Sequence, residues 1–291
     1  MAKKAGWRAA HRAIQAQPKL KVVAVCRIVG MTPQNYYARR HQRRRQQVDV
    51  DLMLGLVRAE RREQPRLGTR KVYHLIKPEL KKAGVKIGRD RVFKELKKAE
   101  LLVARKQSQW PKTTHYNENL PVFKNLVKDR KVTRRNQVWV ADITYIRTEE
   151  SFLYLALVTD KWSRKIVGFH LSESLEVEVV IKALNLGLKS LKPSEKPIHH
   201  SDRGCQYASH TFVQRIREAG LRMSMTEMDH CAENSMAERV NGILKQEYWL
   251  DATFPDSSRA KQACAEAIRL YNMRRPHKNL AMKTPEQVHQ A

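Results

Sequence analysis

No stretch of this chain approaches the roughly eighteen consecutive apolar residues that a membrane span requires, so none is expected to cross a bilayer. The basic start Met1-Ala2-Lys3-Lys4-Ala5-Gly6-Trp7 has no apolar core behind it and reads as no export signal. Cysteine is scarce too. The four present (Cys26, Cys205, Cys231, Cys264) show no pairing pattern and no CxxC spacing, which points to a reduced, cytoplasmic setting. His199, His200, Cys205, His230 and Cys231 could be grouped as zinc ligands, but their spacing fits no common zinc signature. Acidic residues are rarest in the front half. Residues 1–130 hold 33 Lys+Arg against 10 Asp+Glu, a net of +23, whereas residues 131–291 hold 24 against 19, a net of +5. A basic surface that merely aids solubility is the alternative. So large an asymmetry favours a nucleic-acid-binding arm joined to a domain of another kind.

The arm reads as helical. Val22–Gly30 forms a short helix closed by glycine, and Met31-Thr32-Pro33 restarts one, with Thr32 as N-cap and Pro33 in the first helical position. Gln34–Arg40 then presents polar and basic groups, among them Arg39 and Arg40, as the second helix of a helix-turn-helix. Arg43–Gln47 reads as a charged linker and a second helical unit starts near Asp49. Pro65-Arg66-Leu67-Gly68-Thr69-Arg70-Lys71 is a turn with Thr69 as a candidate cap. Val72, Leu75, Ile76 and Leu80 follow at helical spacing. Beyond Gly84 and Gly88 a further helix sets Val92, Phe93 and Leu96 against a basic face of Arg89, Arg91, Lys94, Lys97 and Lys98. A solvated charged face is the bland reading; two such units in tandem favour DNA.

After an irregular stretch with Pro111, Asn117, Asn119 and Pro121, the period changes. Gln137–Ile146, Phe152–Asp160 and Lys165–Leu171 predict three consecutive strands in a meander. A helix over 175–191, a strand over 197–201, a helix over 209–219, a strand over 221–225 and a helix over 234–249 complete an α/β domain with a mixed sheet. A helix over 259–272 and a mostly extended tail over 275–291 end the chain. The expected organisation is an N-terminal helix-turn-helix (1–45), a second helix-turn-helix domain (46–104), a linker (105–133), an α/β core (134–250) and a C-terminal helix with tail (251–291).

Three acids stand out. Asp142 lies inside the apolar first strand, where aspartate is disfavoured and costly to bury unpaired; a solvent-facing position is the alternative. Asp202 follows the short strand at the end where α/β folds place their chemistry, or is an ordinary turn residue. Glu238, separated from Asp202 by thirty-five residues, shares a polar helical stripe with Asn241, Gly242 and Lys245, counting about 100° per residue. It could also complete a capping box with Ser235. Carboxylates from distant elements are a natural way to hold hard divalent cations.

Trp139-Val140-Ala141-Asp142-Ile143-Thr144-Tyr145, His200-Ser201-Asp202-Arg203-Gly204-Cys205-Gln206-Tyr207 and Glu233-Asn234-Ser235-Met236-Ala237-Glu238-Arg239 together resemble the three catalytic blocks of bacterial insertion-sequence transposases of the OrfB type. These belong to the DDE transposase and retroviral-integrase superfamily. The gap between Asp202 and Glu238, the placement of Lys245, the C-terminal Tyr271-Asn272, Arg275-Pro276-His277, Leu280 and Thr284-Pro285, and the region from Pro65 to Leu102 extend the likeness over about residues 20–290. The resemblance implies an RNase H-like α/β core, a mixed five-stranded sheet with helices, preceded by all-α helix-turn-helix domains. It implies that Asp142, Asp202 and Glu238 bind two Mg2+ (or Mn2+) ions, and that Lys245 contacts DNA phosphate. It also implies that the basic arm, with Arg39, Arg40, Arg70, Lys71, Arg89, Arg91, Lys94 and Lys98, recognises the terminal inverted repeats of double-stranded DNA. A dimer or larger homo-oligomer on DNA is expected, and in such families an upstream-frame transposase partner is often fused by frameshift. The competing readings are a catalytically inactive DNA-binding regulator and a plain RNase H-like nuclease; retention of all three acids speaks against the first and the tandem arm against the second.

Overall fold

The computed structural model describes residues 2–104, 121–227 and 233–291. They fall into two compact units: Met1–Ala59 with Ile76–Leu101, and Glu60–Leu75 with Leu102–Ala291.

In the first unit, α1 (Ala2–Ala16), α2 (Val22–Ile28) and the start of α3 (Pro33–Glu63) close around Trp7, Ala10, Val25, Cys26 and Tyr36. Gly30 turns the chain at φ 66°, and the Thr32 hydroxyl accepts from the Asn35 amide at 3.2 Å, as the predicted cap requires. The expected linker at Arg43–Gln47 is instead the interior of α3, which runs unbroken for 31 residues. The reason is local: Arg and Gln are good helix formers, and neither glycine nor proline interrupts positions 34–54. The expected boundary at 45/46 thus falls inside one helix. The next helix, α4 (Thr69–Lys82), begins at Thr69 itself, while the Gly68 carbonyl accepts from the amides of Lys71 and Val72. It leads through Gly84 (φ 70°) into α5 (Arg89–Lys98), and the pair buries Ile76, Leu80, Val92 and Leu96. Of the expected linker, residues 105–120 lie outside the described residues, and 121–133 form neither helix nor strand.

The second unit is built on one sheet. The strands β1 (Val138–Thr148), β2 (Phe152–Asp160) and β3 (Ile166–Ser172) form the antiparallel meander. Two short strands, β4 (Ile198–Ser201) and β5 (Arg222–Met225), add in parallel, giving the order β3-β2-β1-β4-β5 with β1 in the centre. This is the RNase H-like arrangement expected. A sixth, two-residue strand β6 (Thr253–Phe254) pairs with the end of β1 and adds to the five foreseen. One face packs Trp139, Ala141, Ala156 and Val158 against α6 (Val177–Leu188), α7 (Cys205–Ala208) and α8 (His210–Glu218). The other packs Ile146, Leu155 and Leu157 against α9 (Ser235–Glu247) and α10 (Ser257–Met273).

Close packing is set by glycine at one point. A Cβ on Gly168 would stand 2.1 Å from the Ala183 carbonyl oxygen, so β3 and α6 approach only because none is there. The start of β3 is held by a side chain: Asn272 accepts from the Ile166 amide and donates to the Ile166 carbonyl, both at 2.9 Å. The tail expected to be extended is helical. A 3₁₀ turn (Lys278–Leu280) precedes α11 (Pro285–Gln290), which has a full Thr284/Gln287 capping box and proline at its start. Ser163 and His289 (2.9 Å) and Lys165 and Glu286 (2.7 Å) fasten α11 to the β2–β3 turn.

Helix α9 ends in a buried charge junction. Glu247 accepts from Arg275 through Nε and Nη2, each at 2.8 Å, and from Lys71 Nζ at 2.7 Å. Arg275 in turn meets His277 at 2.8 Å, and Tyr248 donates to Gln64 at 3.0 Å. Burial alone would raise the Glu247 carboxyl, but the bonds and charges of Arg275 and Lys71 hold it below the ordinary carboxylate range.

Two outcomes test this packing. Gly168→Ala is expected to lower unfolding free energy by roughly 1–3 kcal/mol, while Gly55→Ala, in an exposed helical position with nothing within 4 Å of the added carbon, should raise it by about 0.5–1 kcal/mol; denaturant titration compares them, and equal effects would refute the close approach. Glu247→Gln leaves two cations in a buried place without their anion and is expected to cost about 3 kcal/mol at neutral pH. Because the native carboxyl is depressed, its contribution is present above the glutamate pKa of the unfolded chain (about 4.3) and fades as pH falls. The variant should therefore lose less stability on acidification than the native chain, and a parallel pH profile would contradict the junction's role.

Candidate active site

The central position of β1 decides where Asp142 points. Alternation sends Trp139, Ala141 and Ile143 to the face covered by α6–α8. Val140, Asp142 and Ile146 go to the opposite face, where α9 lies. Asp142 is therefore neither on an edge strand nor on an uncovered face. Parallel pairing supplies the second acid: Val140 partners His200 in the last pair of the β1–β4 ladder, and Asp202 follows directly on the end of β4, close enough for its charge to act on Asp142. Asp202 turns back on its own loop and accepts from the Gly204 amide at 3.1 Å; a Cβ on Gly204 would press on that same oxygen.

Helix α9 supplies the third acid. Its first turn is tied to β1 by Asn234, whose side-chain amide donates to the Ala141 carbonyl at 3.1 Å. The capping box with Ser235 does not form, since the N-cap is Asn234 and makes no side-chain cap. Glu238 is thereby left exposed for other work. One turn on, Asn241 donates to Asp142 at 2.7 Å, so the polar stripe read from the sequence faces Asp142. Spacing alone places Asn241 on that stripe, but its bond to Asp142 has no sequence signal.

Electrostatics report how crowded the acids are. Burial, then the charge of Asp202 and, more weakly, that of Glu238, raise the Asp142 carboxyl to about 7 against the opposing bond from Asn241. Lys245 is only 7% exposed. Burial pulls its amine down to about 8, while Asp142 and Asp251 favour its charge. Tyr207 lies under the site, its phenol pushed up by burial and by Asp142 and Asp202. His199 packs beside it at 5.8 Å between centroids and is driven down to about 3 by burial, while His200 bonds Ser224 at 2.9 Å. These two histidines thus serve the core; His230 and Cys231 lie outside the described residues.

Among the described residues, no three His, Cys, Asp or Glu side chains stand together tightly enough to hold an ion as placed. The chemistry of the set nevertheless fits a hard cation. All donors are carboxylate oxygens, and their mutual repulsion at Asp142 is the stress that a divalent charge would relieve.

The residues expected to touch DNA divide. Arg40, Arg89, Lys94 and Lys98 are exposed, and Arg39 and Arg91 are partly so. Arg89 pairs with Asp90 and Lys98 with Glu95, both at 2.9 Å. Arg70 is exposed, but Lys71 is taken up by Glu247 and drawn down to about 8 by burial and the charge of Arg275.

Comparison with known proteins follows this geometry. Two families, each described as integrase core domain, match residues 132–231 and 219–285. The insertion element IS600 uncharacterized 31 kDa protein of Shigella sonnei is 34% identical over 91% of this chain and 99% of its own length. The transposase InsF for insertion sequence IS3A of Escherichia coli (strain K12) is 30% identical over 79% of this chain and 80% of its own. A solved structure of the HTLV-2 integrase catalytic core domain in complex with magnesium is 21% identical, covers 55% of this chain and 99% of that one, and has a TM-score of 0.44. With relatives of this identity spanning most of both chains, the protein belongs to the insertion-sequence transposases that carry an integrase core.

Proposed function

We propose that the protein cuts DNA at the ends of its mobile element and joins the freed 3′-hydroxyl to a second phosphodiester, using Asp142, Asp202 and Glu238. The observation that carries this reading is the nearness of Asp202, just past the end of β4, to Asp142 on the neighbouring β1, under a helix that presents Glu238 and bonds Asp142 through Asn241. Two Mg2+ (or Mn2+) ions, held by the three carboxylates, would activate the attacking oxygen and stabilise the leaving one. The chain's own residues do the rest. Asn241 orients the Asp142 carboxylate, Asn234 fixes the start of α9 on β1, and Gly204 lets Asp202 fold back beside its strand. Lys245, at 7% exposure, balances Asp142 and Asp251 instead of projecting to a phosphate as the resemblance implied.

The helical unit, with Arg89, Arg91, Lys94 and Lys98 on α5 and Arg39 and Arg40 on α3, is assigned to the terminal inverted repeats. Its charge supports this, since neutralised phosphates release counterions. Two ends must be held together for joining, so a homo-oligomer on DNA is part of the proposal.

Asp142→Asn, Asp202→Asn and Glu238→Gln are each expected to abolish Mg2+-dependent strand transfer on end DNA while leaving binding within a few-fold. Joining that survives any one of them would remove that residue from the assignment. End binding should fall steeply with salt. Replacing Arg89, Arg91, Lys94 and Lys98 by alanine should flatten the log–log slope by about 0.9 for each phosphate no longer neutralised. An unchanged slope would place the DNA-binding surface elsewhere.

A further inference from the structure

Beyond the end of α9 the chain keeps an unfavourable residue in an unfavourable place. Tyr248 caps the helix, and Trp249 follows at φ 62°, in the left-handed region. That position after a helix is normally given to glycine, and a bulky side chain there is an outlier. Burial does not compensate, because Trp249 is 45% exposed. The turn is fixed by the Ala252 amide, which donates to the Trp249 carbonyl at 3.0 Å.

The indole is also prepared on one side. The Arg66 guanidinium lies 3.8 Å from the ring centroid. Arg66 is itself held: its backbone amide donates to the Glu247 carbonyl at 3.2 Å, and its side chain pairs with Asp251 at 3.6 Å. Asp251 also favours the charge on Lys245, which stands on the same helix as Glu238. An exposed aromatic ring backed by a fixed cation thus lies just past the end of the catalytic helix, and neither the core nor the proposed chemistry uses it. Non-glycine residues kept in this region without a packing reason concentrate at functional sites.

We propose that Trp249, backed by Arg66, is a stacking site for one unpaired nucleobase of the DNA on which the protein acts. With one face of the ring under Arg66, what solvent reaches is the rest of the indole. A phosphate would need only the guanidinium. A closed duplex offers base edges, whereas a base freed from its neighbours offers a face that an indole can stack on. A protein partner would call for a broad apolar patch, but the ring is backed by the charged Arg66, itself paired with Asp251. The inference rests on the transposase reading, and the site would hold the strand end as it is cut or joined.

The test uses the full chain and duplex DNA of the element end, either fully paired or with its last bases mismatched, carrying 5-iodouracil at those positions. The native protein is expected to prefer the unpaired end by on the order of ten-fold, the worth of one base–aromatic stack, and to crosslink through Trp249. Trp249→Gly should lose that preference and the crosslink with a melting temperature that is unchanged or higher, since glycine takes the left-handed turn freely. Trp249→Phe should keep part of both. A preference that survives Trp249→Gly, or crosslinks mapping only elsewhere, overturns the site. So does a change confined to self-association of the DNA-free protein, which would make the ring an interface between copies. If Trp249→Gly melts lower, Trp249→Asn, which also tolerates the turn, decides: loss of the preference at native melting temperature supports the site, and retention overturns it. A native protein that neither binds nor joins end DNA would refute the transposase reading itself, and this site with it.

Discussion

The parallel pairing of β4 with β1 is the constraint on which the site depends. It is short, running from Val138–Ile198 to Val140–His200, yet it ends β4 beside the strand that carries Asp142, so that Asp202 follows within reach of it. Because side chains alternate along a strand, a slip of one residue in β1 would turn Asp142 to the opposite face. That slip is prevented by the apolar residues between which Asp142 sits: Trp139 and Ala141 are committed to one core, Val138 and Val140 to another. The acid is thus placed by its hydrophobic neighbours, and its raised carboxyl is the cost of that placement.

A second requirement is that α9 stay put while carrying Glu238, whose charge repels Asp142. Apolar packing through Val240, Ile243 and Leu244 supplies adhesion but little directional control. Direction comes from polar ties at both ends. At the start, Glu233 accepts from the Glu227 amide (2.6 Å) and from Asn125 (2.8 Å), and Asn234 reaches β1. At the finish, Glu247 gathers Arg275 and Lys71. The C-terminal signature thereby acquires a physical meaning. Tyr271 donates to the Arg164 carbonyl at 3.0 Å, Asn272 holds Ile166, and Arg275 holds α9, so one short segment fastens both β3 and α9.

What the sequence made legible was whatever depends on near neighbours. Among the described residues, strand alternation and helical spacing located every strand but the two-residue β6, and the polar stripe of α9 was visible because Glu238, Asn241 and Lys245 repeat at helical intervals. Pairings between distant segments were not legible. Lys71 reads as one more base in a basic turn, because its partner Glu247 lies 176 residues away. Arg43–Gln47 reads as a linker by charge, although no residue in it stops a helix. The tail reads as mostly extended, whereas in the fold Thr284 and Pro285 are the N-cap and first turn of α11.

The same distinction explains the treatment of polar residues in the core unit. Asp160 is wholly buried and accepts from the Asn136 amide, the Ser163 amide and the Ser163 hydroxyl, so most of its acceptor sites are used by the turn that follows it and the loop before β1. Asp142 is held by the Asn241 side chain and the Ile143 backbone, and faces other acids. Both are aspartates in apolar strands of one sheet, and propensity treats them alike. What separates the two is what surrounds each carboxylate, backbone and hydroxyl donors at Asp160 and neighbouring acids at Asp142, and only the folded chain supplies those surroundings.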